Sequence, residues 1–171
     1  MAIRHNEVRD VTYEMMSEVC RDAEKEPQLL PITGEKLQYR TSNTNEDARC
    51  DIAARGFWSR GERAFFDIRV FDPAAPSYID QDLGVVHKRH ESEKIRSYEE
   101  RIRNIERGSF SPLVFTLAGG MGKIAQKCYS RLADMLAETR KQSRAVVIAW
   151  MRCRLSFSLL RSAILCIRGI A

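Results

Sequence analysis

The sequence predicts an α/β domain, a mixed sheet covered by helices, and three observations carry that reading. Residues 50–58 and 64–71 are β-forming runs joined by a polar turn. Residues 7–24 and 86–105 place apolar side chains at steps of three and four, the period of a helix. A short apolar run at 113–117 then precedes two further helical stretches, at 124–139 and 144–168.

Each element has its own local reason. In 7–24 the stripe is Val8, Val11, Met15 and Val19, with Glu14, Glu18 and Arg21 mostly outside it and Asn6 placed to cap it. Pro27 lies just beyond its charged end, and Gly34 marks a further turn. Residues 41–46, Thr-Ser-Asn-Thr-Asn-Glu, read as loop. The strand at 64–71 holds Phe65, Phe66, Ile68, Val70 and Phe71, an almost unbroken apolar run that predicts burial on both faces. Asp72-Pro-Ala-Ala-Pro76 ends it, because proline cannot continue a ladder, and 72–85 is loop. On the helix at 86–105 the predicted buried stripe is Ile95, Tyr98, Ile102 and Ile105, and Gly108 ends it. Residues 118–122 form a turn.

At 171 residues the chain is most simply one domain, with a core over about 5–120 and C-terminal helices over about 124–168. A net charge of +5 is compatible with a polyanionic partner. The five cysteines show no paired or zinc-like spacing, which predicts reduced, buried thiols. The opening Met1-Ala-Ile-Arg-His lacks an apolar signal region, and the apolar stretch 146–167 contains Arg152, Arg154 and Arg161. Each arginine near a bilayer centre costs about 2.5–3.5 kcal/mol, so an intracellular chain with no membrane span is expected.

The chemistry-bearing residues lie on the two central strands. Asp51 opens the first; Asp67 sits in the middle of the second, two residues before Arg69. Two carboxylates and a cation on neighbouring strands suit a divalent metal and a phosphodiester. Asp67 stands among Phe65, Phe66 and Ile68, where a carboxylate is costly to bury without a partner. The competing reading makes Asp51 a turn cap and pairs Asp67 with Arg69 or Arg55.

With these strands, the element order resembles the restriction-endonuclease-like nucleases of the PD-(D/E)XK type. The resemblance implies an αβββαβ core, here extended by C-terminal helices, and a magnesium- or manganese-dependent DNA endonuclease. It puts Asp51 and Asp67 on the metal, Glu7 as a third acid, and Arg69 where that family carries lysine. Arginine can stabilise charge but cannot act as a base. Three options follow: Arg69 acts by charge alone, Lys94 or Lys88 of the next helix substitutes, or the domain binds without cutting. More narrowly, Phe66-Asp-Ile-Arg-Val-Phe71, Pro76-Ser-Tyr78, Gly119-Gly-Met-Gly-Lys123 and Trp150-x-Arg-Cys-Arg-Leu155 are similar to endonuclease-like segments associated with reverse transcriptases of animal retrotransposons. That likeness implies DNA (or RNA) and a reverse transcriptase as partners, and a nuclear site of action.

Other motifs have plainer readings. Gly119-Gly-Met-Gly-Lys123 fails the phosphate-loop pattern, since Leu117 and Ile124 stand where glycine and a hydroxyl are needed. It reads as a tight turn whose Lys123 could touch a backbone phosphate. His87 and His90 lack a third ligand for zinc. Arg154, Arg161 and Arg168 recur every seven residues, either as a solvated stripe opposite Trp150, Phe157, Leu160 and Ile164 or as a ridge along a nucleic-acid backbone. Arg55 and Lys88 complete the candidate nucleic-acid contacts. A chain whose last helix docks on a partner protein is the remaining alternative.

Overall fold

The computed structural model of the chain describes residues 2–30 and 49–168. Helix α1 (Ala2–Val19) comes first, followed directly by strand β1 (Arg21–Lys25). Strands β2 (Ile52–Arg55) and β3 (Arg63–Phe71) form a hairpin. Helix α2 (Leu83–Arg101) ends in a π-helical turn at Ile102–Glu106 and leads to β4 (Ser109–Thr116). Helices α3 (Lys123–Arg140) and α4 (Arg144–Ile167) complete the chain.

The four strands pair in the order β1-β2-β3-β4. The first three run antiparallel in sequence; β4 returns parallel to β3, with Asp67 level with Pro112. A parallel return needs a crossover, and α2 supplies it. The expected α/β class with a mixed sheet is therefore present.

Alternation along β3 divides the core in two. Phe66, Ile68 and Val70 join Leu113 and Phe115 of β4 in the main cluster, under α1, α3 and α4. Phe65 points the other way, toward Tyr98 and Ile102, and Phe71 meets Val86, both under α2. Asp67 and Arg69 lie between Phe65 and Phe71 on that α2 side, by the two-residue period of a strand. Burial on both faces, expected for this strand, is what the fold provides. Fully burying one such Phe or Leu is worth about 1.5–3 kcal/mol, so this strand anchors both layers.

Several boundaries differ from the sequence reading. Helix α1 begins at Ala2 and stops at Val19, so Asn6 lies inside it and residues 21–25 are strand. The strand Arg-Asp-Ala-Glu-Lys has no apolar alternation because it is an exposed edge, and Asp22 has φ +48° where its register to β2 is irregular. Strand β4 starts four residues before Leu113 and runs through Pro112, which an edge strand tolerates because its outer side pairs only farther on, with Gly120–Gly122. Helix α2 starts at Leu83, capped by Asp82 accepting from the Val85 amide at 3.1 Å. On it Tyr98 and Ile102 are buried as expected, whereas Ile95 and Ile105 are only half-buried and His87, His90 and Glu91 go inside. On α4 the apolar row that turns inward is Val147, Met151, Leu155 and Leu159, while Phe157, Leu160 and Ile164 are exposed. The cysteines are all free; Cys50 and Cys128 are buried, but Cys153 is exposed. The turn expected at Gly34 and the loop at 41–46 lie outside the described residues.

Helices α1 and α4 are laced together by charge. Glu14 pairs with Arg154 and Glu7 with Arg161 (3.6 Å), two seven-residue steps matched in antiparallel sense. Glu18 takes both Nε and Nη2 of Arg140, from the end of α3, at 2.7 Å each. Such part-exposed pairs contribute about 0–1 kcal/mol each and mainly fix the register of packing.

Candidate active site

Three of the residues singled out in the sequence meet at the junction of β2, β3 and α2. The amide of Asp51 donates to the carbonyl of Phe66 at 3.0 Å, which sets Asp51 beside Asp67 across the hairpin. Lys94 of α2 brings its Nζ to 2.6 Å from Asp67 Oδ2. A fourth residue joins them from α1: His5 Nε2 lies 2.9 Å from Asp51 Oδ2, which also accepts the Ile68 amide at 2.6 Å. Asp51 is thus held rigidly by two donors on one oxygen.

The electrostatics are those of crowded carboxylates. Asp67 is 4% exposed, and burial, then the neighbouring Asp51 charge, push its pKa up to about 6 despite Lys94. The hydrogen bond to Asp51 raises the His5 pKa, which favours the imidazolium and partly neutralises the site. The Lys94 ammonium, 2.6 Å from Asp67 Oδ2, favours the ionised carboxylate but does not outweigh burial and the Asp51 charge. A buried carboxylate next to a second carboxylate suits a divalent cation. Among the described residues no group of three His, Cys, Asp or Glu side chains could hold a metal ion. Two carboxylates and solvent is the donor set magnesium prefers.

The other candidates lie elsewhere. Arg69 follows Asp67 on the same side of β3, but its Nη1 donates to Glu93 at 2.7 Å, beside the buried His90. Glu7 turns toward Arg161 on α4, and His5 occupies the place on α1 that the sequence reading gave to Glu7. Arg55 is at the far end of β2, bonded to Asp22 and the Gly61 carbonyl. Lys88 and Lys123 are exposed on α2 and at the start of α3. Arg154 is paired with Glu14 and lies 5.8 Å from the Trp150 ring centre.

Sequence reasoning missed His5 because nothing local distinguishes it; only the fold brings residues 5 and 51 together. A concavity of about 580 Å³, lined by Met121, Tyr129, Arg144 and Met151 among others, lies between α3 and α4 and does not include the carboxylates. No helix among the described residues is long and apolar enough to cross a membrane. No family model matches the chain, and no curated protein matches it either.

Proposed function

We propose that the chain is a divalent-metal-dependent phosphodiesterase of the restriction-endonuclease-like kind, acting on DNA. The observation that carries this reading is the convergence of Asp51, Asp67 and Lys94 from two paired strands and the crossover helix. The order of helix, three-strand meander, helix and parallel strand supports it, since this is the αβββαβ succession that the resemblance implies.

Asp51 and Asp67 would hold magnesium or manganese, which when bound polarises a phosphate and sharpens a water nucleophile. Asp51 is oriented for this by His5 and the Ile68 amide, a positioning role for both. Lys94 takes the place of the lysine that β3 lacks. Its ammonium, about a quarter exposed, can reach an incoming phosphate while remaining against Asp67, and so stabilises negative charge growing on the phosphate oxygens. Arg69, held by Glu93, contributes field at longer range. A reverse transcriptase partner and a nuclear site of action in a mobile element rest on the likeness of sequence phrases alone.

Nicking of supercoiled plasmid with magnesium or manganese tests the reading. Wild type should convert supercoiled to open circles and Asp67→Ala should not. Equal nicking by both, or none by either, defeats it; DNA binding without nicking would leave the non-cutting form of the fold.

A further inference from the structure

Helix α4 carries a second apolar face that the described residues leave exposed from Phe157 to Ile167, while Trp150 near its start is half-buried with Arg140 3.8 Å from its ring centre. From Val146 the outward apolar positions alternate steps of four and three, through Trp150, Cys153, Phe157, Leu160 and Ile164 to Ile167. Phe157 is 71% exposed, Leu160 56%, Ile164 42% and Ile167 84%. Strict alternation of this kind is the seam of a coiled coil, and apart from Trp150, which also packs against the core, it is separate from the inward row. Over 22 residues it is about 33 Å long, three heptads. Isolated exposed apolar residues need no explanation, but a continuous seam marks an interface.

We propose that this seam is where a second copy of the chain docks, α4 against α4 in a parallel pair. The flanks decide between occupants. One flank is Arg154, Arg161 and Arg168; the other is Ala149, Ser156 and Ala163. In a parallel pair each arginine flank faces the small flank of the other helix, which leaves Arg154 and Arg161 room to keep their pairings with Glu14 and Glu7 of α1. An antiparallel pair would set the two bulky arginine flanks against each other and the two small flanks together, so that one edge of the seam is crowded and the other left open. An acidic helix or a polyanion has little to recognise, because Arg154 and Arg161 are already neutralised by Glu14 and Glu7 of α1.

Sedimentation velocity from low to high micromolar concentration is the test, on the full chain. Wild type should approach twice the 19.7 kDa chain mass. The double variant Phe157→Arg, Leu160→Arg should stay monomeric with an unchanged circular-dichroism melt, because these exposed positions take no part in the core. Cys153 lies on the seam and meets its twin only in a parallel pair, so diamide should yield a covalent dimer that Cys153→Ser abolishes. A wild-type monomer at every concentration overturns the proposal, as does a dimer that survives the double variant. Diamide cross-linking that persists in Cys153→Ser overturns the parallel arrangement. A monomer that pellets with anionic phospholipid vesicles would assign the seam to a lipid surface instead.

Discussion

At the scale of single residues, the proposed chemistry turns on which cation stands beside the carboxylates. Arg69 has the right sequence position, but its guanidinium is engaged by Glu93 at 2.7 Å. Lys94 has no sequence signature, yet its ammonium stands 2.6 Å from Asp67. Distance favours Lys94, since a donor aimed at developing charge in a partly dry site is worth far more than one held elsewhere. Lys94→Met should therefore slow magnesium-dependent nicking by about 10²–10³-fold, the range for losing one such donor. Arg69→Met should cost less than about tenfold, acting through field alone. Single-turnover rates at saturating metal and DNA separate the two. A larger loss for Arg69→Met than for Lys94→Met would return the role to the strand position. The juxtaposition of Asp51 and Asp67 was legible in the sequence, because an acid amid β-forming apolar residues is an anomaly that needs a reason. His5 was not, because its significance is a contact spanning 46 residues.

At the scale of elements, hydrophobic period located what is packed by apolar side chains and failed where polar ones do the packing. Strand β3, α3 and α4 fall within one or two residues of the sequence reading. The inner face of α2 was read correctly only at Tyr98 and Ile102: Val86, His90, Lys94, Tyr98 and Ile102 follow one row at four-residue steps, and its middle is polar because it faces Asp67 and Arg69. Strand β1 was invisible since an exposed edge has no buried face to impose alternation. The same row of logic explains the tight turn before α3. Gly122, the N-cap residue, has no side chain to cap the helix, and Glu91 of α2 reaches across to accept the Ile124 amide at 3.0 Å. A β-carbon at Gly122 would collide with that carboxylate. Gly122→Ala should therefore displace the cap and cost about 1–2 kcal/mol in a denaturant melt. In a Glu91→Ala background the same change should cost much less, since the obstacle and the cap are one group. Additive losses across that cycle would show that α3 does not depend on α2 for its first turn.

At the scale of the whole molecule, the site and the fold pull in opposite directions, and pH exposes the conflict. Asp67 has its folded pKa raised to about 6 from 3.8, so the stability it supports is complete below the unfolded value and is lost as pH rises through about 6. His5, also raised, loses its contribution as pH climbs past its own folded value. His87 and His90 act with the opposite sign: burial lowers both, so their contribution is present above 6.5 and fades as pH falls. The wild-type curve is a sum of these, and only a difference isolates one group. Asp67→Asn keeps the volume and removes the charge, so it should stabilise the fold by about 1 kcal/mol at pH 4.5 and about 3 kcal/mol at pH 8, by the linkage of a two-unit shift. For a chain of this size that is a rise in melting temperature of roughly 6–12 °C at pH 8. The same variant should be inactive, the usual exchange of stability for function at a strained site. A divalent cation held as proposed would bind only the ionised pair, so magnesium or manganese should raise the wild-type melting temperature more at pH 8 than at pH 5 and leave Asp67→Asn unmoved at both. Fluorimetric melts across that grid check both halves. Should Asp67→Asn melt at the wild-type temperature throughout, the carboxylate is not strained; should the metal shift both chains equally, the cation binds elsewhere on the molecule.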